Sequence, residues 1–156
     1  MIILGADLSY SRSALVWYDT QDNKVFHYAT VTIKPCGRRM LEAYDRLRDA
    51  IASYNYLMVD KLILEGPALN VPNPRTLHML GELSGVFKML CQSYGMDPVV
   101  VPPTEVRKFI CGSGRATKEE MAKVLYQSHG ISFVFDNDKG YDLSDAAALC
   151  IWGAGQ

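Results

Sequence analysis

Two short apolar runs, each ending in a carboxylate, constrain this chain more than any other feature. Ile2-Ile3-Leu4-Gly5-Ala6 leads into Asp7, and Leu62-Ile63-Leu64 leads into Glu65. Apolar runs of this length, bounded by polar residues, are the pattern of strands buried in a sheet. A carboxylate carried into such surroundings without a partner costs several kcal/mol or takes up a proton. A fold that accepts both acids must supply something to compensate them.

The segments around these runs define the sheet. Ser13 to Tyr18 is a second strand, joined to the first by the polar stretch Leu8 to Arg12, and the alternation from Val25 to Ile33 predicts a third that Pro35 and Gly37 end. Met40, Leu41, Tyr44, Leu47 and Ile51 fall at helical spacing between Arg38 and Tyr54. After the Lys61 to Glu65 strand, Asn73-Pro74 opens a helix running to Ser93, on which Leu77, Leu80 and Met89 read as core. Pro98 to Val101 predicts a fifth strand, and a brief helix follows Pro102-Pro103 as far as Ile110. Thr117 and Glu120 form a capping box for a helix to about Gln127, and beyond a polar turn from Asp136 to Gly140 a last helix carries Asp142, Asp145 and Trp152. Three leading strands, then strands alternating with helices, predict an α/β fold: a mixed five-stranded sheet in the order 3-2-1-4-5, flanked by helices.

Asp142 and Asp145 are spaced i, i+3, which puts both on one face of that last helix. Each acid has an ordinary explanation by itself. Asp142 could be an N-cap, Asp145 its first-turn companion, and Asp7 and Glu65 the polar ends of strands. Together the four point to a hard divalent cation, which takes oxygen ligands and needs several carboxylates in one place. Such an ion suits phosphodiester cleavage. The loop Gly112-Ser113-Gly114-Arg115-Ala116-Thr117-Lys118 lacks P-loop spacing, but backbone N–H groups at a helix start beside Arg115 and Lys118 make a phosphate cradle; a solvated surface turn is the alternative.

Composition narrows the class. With 156 residues and 49% hydrophobic side chains, one domain spanning 1–156 is expected, folded almost throughout. The start has no basic segment before its brief apolar run, so neither a signal peptide nor a membrane span is expected. Cys36, Cys91, Cys111 and Cys150 have no C-x-x-C pair and read as reduced, mostly buried thiols, and His27, His78 and His129 are too scattered for a metal site. Net charge is −1, unlike a uniformly basic nucleic-acid binder. Yet with four of the 17 acidic side chains committed to a metal, 13 remain against 16 basic ones, and the rest of the surface leans positive.

Taken in order, these motifs resemble the RuvC Holliday junction resolvases. Ile3-Leu4-Gly5-Ala6-Asp7 is similar to the family's first-strand motif and Ile63-Leu64-Glu65 to its second acidic motif. Asp142-Leu143-Ser144-Asp145-Ala146 is similar to its closing D-x-x-D-A helix, and Val106-Arg107-Lys108 through Lys118 to the stretch before it. The resemblance covers nearly the whole chain and implies a ribonuclease H-like fold. It implies Asp7, Glu65, Asp142 and Asp145 as ligands of a catalytic Mg²⁺ that Mn²⁺ can replace, with Lys118 at the phosphate near the cut. It further implies DNA contacts from Arg107, Lys108, Ser113 and Arg115, and a homodimer that nicks matched strands of a four-way junction. Arg107 stands where the family commonly has a lysine, keeping the charge without the compact ammonium. Gly66-Pro67-Ala68-Leu69 offers no aromatic of the kind that some members wedge into the junction. The chain also lacks the C-terminal extension of some bacterial members, as a compact phage-type version would. The implied location is the cytoplasm, or the host cytoplasm for a viral member.

Three other readings share parts of this pattern. A ribonuclease H acting on RNA–DNA hybrids would use the same acids, a nucleotide-binding module of the actin-like ATPase superfold would use Gly5-Ala6-Asp7, and a junction-binding protein would keep the fold without the chemistry. The glycine-basic loop disfavours the first, the single domain the second, and the four acids the third. On the helix from Arg75 to Ser93, Gly81, Ser84 and Gly85 form a small-residue face suited either to a partner helix or to close packing on the chain's own sheet.

Overall fold

The computed structural model describes residues 1–33, 38–54, 58–67, 73–133, 138 and 140–156. Pro35, Cys36, Gly37, Ala68, Leu69 and Asp136, on which expectations were placed above, lie outside them. The strands are β1 (Ile2–Asp7), β2 (Ser13–Asp19), β3 (Lys24–Val31), β4 (Lys61–Glu65) and β5 (Val99–Val101). The helices are α1 (Arg39–Ala52), α2 (Pro74–Ser93), α3 (Pro103–Cys111), α4 (Lys118–His129) and α5 (Asp142–Ala154). The sheet has the order β3-β2-β1-β4-β5, as expected from the sequence. β1 to β3 form an antiparallel meander, with a register shift at Trp17/Tyr18, and β4 and β5 run parallel to β1.

Two apolar layers sandwich the sheet. One gathers α3, α4 and α5 around Ile3, Val16, Ile63, Met121, Leu125 and Leu149. The other gathers α1 and α2 around Leu4, Leu15, Trp17, Leu64, Leu47, Ile51 and Phe87. Successive residues of β1, such as Ile3 and Leu4, therefore feed opposite layers, the period-two alternation of a strand covered on both sides.

The helices bury narrower faces than the apolar spacing suggested. α1 buries Ala43, Leu47 and Ile51 while Met40 and Leu41 are about half exposed; α2 buries Leu83, Phe87, Leu90 and Cys91. Leu77 and Met89 are not core: they are 44% and 58% exposed, and Leu80 is half-buried. α2 meets the sheet through a single stripe. Added Cβ atoms at Gly81 and Gly85 would meet nothing within 4 Å, so the small-residue face is not packed on the sheet; with Ser84 it lines an open cavity shared with Asp7 and Glu65 at the ends of β1 and β4. No helix among the described residues is long and apolar enough to cross a membrane.

Candidate active site

The β1–β4 register places Ala6 opposite Leu64, so the residues that follow, Asp7 and Glu65, leave adjacent parallel strands side by side. Their carboxyls lie close enough to influence each other's ionisation. Burial, then the neighbouring charges of Glu65 and Asp145, hold the Asp7 carboxyl well above the ordinary carboxylate range. Burial and Asp145 push Glu65 up to about 7. Burial and crowding thus disfavour the charged forms of both groups, and a positive charge between them would relieve this.

α5 brings the other pair. It is buried from Leu143 to Gly153 and packs across β1, β2 and β4. Its approach is set by Gly5: a Cβ there would lie 2.1 Å from the Ala146 carbonyl oxygen and 2.8 Å from the Cys150 sulfur. A glycine inside a strand is the signal of such close backbone approach. The contact seats the first turn of α5 beside the end of β1, where Asp145 and Asp142 join the field around Asp7. The Asp145 and Asp142 carboxyls are both raised, by burial first and against the opposing pull of Lys118.

Lys118, the first residue of α4, is placed by the capping box that the sequence predicted. The Thr117 hydroxyl accepts the Glu120 N–H at 3.1 Å, and the Glu120 carboxylate accepts the Thr117 N–H at 2.7 Å. From there the Lys118 ammonium pairs with Asp145 and donates to the Gly140 carbonyl at 3.4 Å. Burial disfavours the ammonium, but the hydrogen bond to Asp145 and the charges of Asp7 and Asp142 outweigh it and raise its pKa. Arg107, half-buried on α3, lowers Glu65 and Asp145 through its charge.

Asp7, Glu65, Asp142, Asp145, Lys118 and Arg107 thus converge, from five elements, on one corner of the sheet. The other expected DNA contacts lie apart. Lys108, Ser113 and Arg115 are exposed, and the Ser113 hydroxyl accepts the Arg115 N–H at 3.3 Å within its own turn. Asp142 is not the N-cap of α5: Tyr141 takes that position in a left-handed conformation, and Asp142 is the first helical residue. The capping carboxylate is Asp138, which the sequence did not single out. It accepts the N–H groups of Leu143 and Ser144 at 3.0 and 3.1 Å and the Ser144 hydroxyl at 3.0 Å. Arg12, also unanticipated, reaches Asp138 and Asp142 from the β1–β2 turn.

The donor set fits a hard cation. All four acids are oxygen donors, each is raised by burial and crowding, and Asp145 Oδ1 is buried without a hydrogen-bond partner. Among the described residues no three His, Cys, Asp or Glu side chains already stand close enough to enclose an ion, and the positive charge beside Asp145 is that of Lys118.

No family model matches the chain. Over nearly its whole length it is 28% identical to the crossover junction endodeoxyribonuclease RuvC of Dictyoglomus thermophilum, with 97% of this chain and 94% of the relative covered. It is 30% identical to RuvC of Chloroherpeton thalassium over 83% of this chain and 68% of that one. The chain belongs to the RuvC family. Among solved structures, RuvC of Thermus thermophilus superposes with a TM-score of 0.75 at 17% identity, covering 96% of this chain and 90% of that one. The fowlpox virus resolvase, in complex with Holliday junction DNA, gives 0.60 at 22% identity over 99% and 97%. At those identities the likeness is one of fold, and it covers the whole ribonuclease H-like sheet.

Proposed function

We propose that this chain is a divalent-metal-dependent endonuclease that resolves four-way DNA junctions, and other branched DNA, by paired nicks. The observation that carries the reading is the convergence of four carboxylates from β1, β4 and α5 around a buried, unpartnered Asp145 oxygen, with Lys118 and Arg107 at its rim. Asp7, Glu65, Asp142 and Asp145 are the ligands, with Mg²⁺ as the ion and Mn²⁺ as its substitute. When bound, the metal activates water and stabilises charge on the scissile phosphate and the leaving oxygen. The carboxylates give up the protons they hold as it binds. Lys118, released from its pairing with Asp145, turns its ammonium to the phosphate near the cut, and Arg107 adds a second positive charge on the α3 side. Lys108, Ser113 and Arg115 extend the phosphate contacts outward along the duplex arm, where they set register and salt dependence rather than chemistry.

The protein acts in the cytoplasm as a single 1–156 domain and as a homodimer, because matched nicks on opposing strands need two such sites. The open face of α2, with Leu77, Gly81 and Gly85 exposed beside the cavity that holds Asp7 and Glu65, is the surface that the second copy covers, as the resemblance to the family implies. The decisive experiment is cleavage of a synthetic four-way junction beside linear duplex and an RNA–DNA hybrid, in Mg²⁺, Mn²⁺ or EDTA. Symmetric nicks in the junction alone, abolished by EDTA, are expected. Cleavage of the hybrid alone would transfer the assignment to ribonuclease H chemistry, and tight junction binding without cleavage would remove the catalytic roles.

A further inference from the structure

We infer that Arg12 and Asp138 form a bracket that positions the α5 carboxylates Asp142 and Asp145 for metal binding, an inference that rests on the function proposed above. Neither residue is a metal ligand in that reading. The chain approaches α5 through a tight return: the Tyr141 N–H donates to the Asp138 carbonyl at 3.0 Å, Tyr141 takes a left-handed φ of 59°, and the Asp145 N–H donates to the Tyr141 carbonyl at 2.8 Å. This return swings the buried Asp138 carboxylate under the helix start. There one oxygen accepts from the second residue of α5 and the other accepts twice from the third. Those two residues, Leu143 and Ser144, lie between Asp142 and Asp145, so Asp138 grips the backbone that carries both acids.

Arg12 ties this grip to the sheet. Its guanidinium has Nη1 3.8 Å from Asp138 Oδ1 and Nε 4.0 Å from Asp142 Oδ2. The turn that presents it is itself held by serines: the Arg12 N–H donates to Ser9 Oγ at 3.0 Å, the Ser13 hydroxyl donates to the Ser9 carbonyl at 2.8 Å, and the Ser9 N–H donates to Ser13 Oγ at 3.1 Å. Asp7 immediately precedes this turn. This serine-held hairpin therefore connects the β1 acid, through Arg12, to Asp142 and to the Asp138 cap beneath both α5 acids, and offsets the repulsion between Asp138 and Asp142. Groups that hold metal ligands in orientation are worth about ten- to a hundredfold in metal affinity.

The test is Mn²⁺ titration of the metal-free protein, followed by electron paramagnetic resonance, with amide hydrogen exchange read without metal. Asp138→Asn keeps the size but leaves one acceptor oxygen where two are used; Arg12→Gln removes the charge from a side chain that is already about one-quarter exposed. In both variants Mn²⁺ affinity should fall, by about tenfold or more for Asp138→Asn, while circular dichroism stays that of the wild type. Arg12→Lys should recover part of the loss. Exchange at Leu143 and Ser144 should quicken in Asp138→Asn. A wild-type Mn²⁺ isotherm in folded Asp138→Asn and Arg12→Gln would overturn the bracket, and should Asp138→Asn fail to fold, Arg12→Gln decides alone. If the wild type itself bound no Mn²⁺ and cut no junction, the metal-nuclease reading would fall. The exchange measurement would still judge the bracket, with unchanged protection at Leu143 and Ser144 in Asp138→Asn counting against it.

Discussion

Gly5→Ala tests the contact on which the site's geometry depends. The added methyl would sit 2.1 Å from the Ala146 carbonyl oxygen, and ordinary contact begins at 3.4 Å, so α5 or β1 must retreat by about 1.3 Å. The obstacle is backbone, in a helix buried along its length and packed across the sheet, so no rotamer change relieves it. Overpacking of this kind costs about 1–3 kcal/mol, which lowers the Tm of a chain this long by roughly 2–12 °C. The larger consequence is for chemistry. A shift near 1 Å moves Asp142 and Asp145 away from Asp7 and Glu65, and misplacement on that scale costs on the order of a hundredfold in rate. Thermal denaturation and single-turnover junction cleavage would measure the two effects separately. A Gly5→Ala, Cys150→Ala double variant removes the sulfur at 2.8 Å but not the carbonyl, so it should rescue neither. A Gly5→Ala protein with wild-type Tm and wild-type cleavage would refute the close approach, and rescue by Cys150→Ala would show that the sulfur, not the helix backbone, is the obstacle.

Other consequences follow from the same geometry. Glu65 is raised to about 7 by burial and the charge of Asp145, and Asp7 is raised too, by burial and the charges of Glu65 and Asp145, so the metal-free folded state keeps protons that the unfolded chain releases above about pH 4.5. Stability of the metal-free protein should therefore fall as pH rises from that value through about 7, and saturating Mg²⁺ should flatten the profile; a metal-independent profile in scanning calorimetry would contradict the shared site. Asp145→Asn should abolish cutting while leaving junction affinity in EDTA intact, and retained cleavage would remove Asp145 from the mechanism. Lys118→Met should slow cleavage by about a hundredfold or more at saturating metal, as loss of one electrostatic contact to a reacting phosphate does; an unchanged single-turnover rate would exclude that contact. Gly85→Arg, placed on the open face of α2, should fold normally and sediment as a monomer, against the dimer proposed for the wild type; a wild type that is itself a monomer, or a variant that stays dimeric, would remove this face from the interface.

What could be read in the sequence, and what could not, divides along physical lines. Asp7 and Glu65 were legible because a buried strand advertises itself as an apolar run and its terminal acid needs a reason. Thr117 and Glu120 were legible because a capping box closes within one turn. Sheet order followed from short connections and crossover handedness. Periodicity gave the existence of α1 and α2 but not the width of their buried faces, so Met40, Leu41, Leu77 and Met89 were assigned inward and stand exposed. Asp138 escaped because its capping bonds span a folded-back turn with a left-handed Tyr141, for which no fixed sequence spacing exists, while the adjacent Asp142 fits the familiar N-cap position. Arg12 escaped because an arginine in a serine-rich hairpin turn reads as solvated, and its partners lie at the other end of the chain.

These residues share one dependence. α5 is apolar on nearly every side, so packing alone would leave it free to slide or rotate on the sheet without exposing a polar face. Its position must be fixed by features that tolerate only one arrangement: the missing side chain at Gly5, the Gly153 backbone carbonyl that accepts from Lys61 at 2.8 Å, and the Asp138 carboxylate at its first turn. The first two fix its height and distance from β1 and β4, and the third fixes the turn that bears the acids. Substitutions at Gly5 should therefore lower stability and rate together, whereas those at Asp138 and Arg12 should act on metal affinity out of proportion to any loss of stability, and that difference is what separates a packing contact from a positioning one.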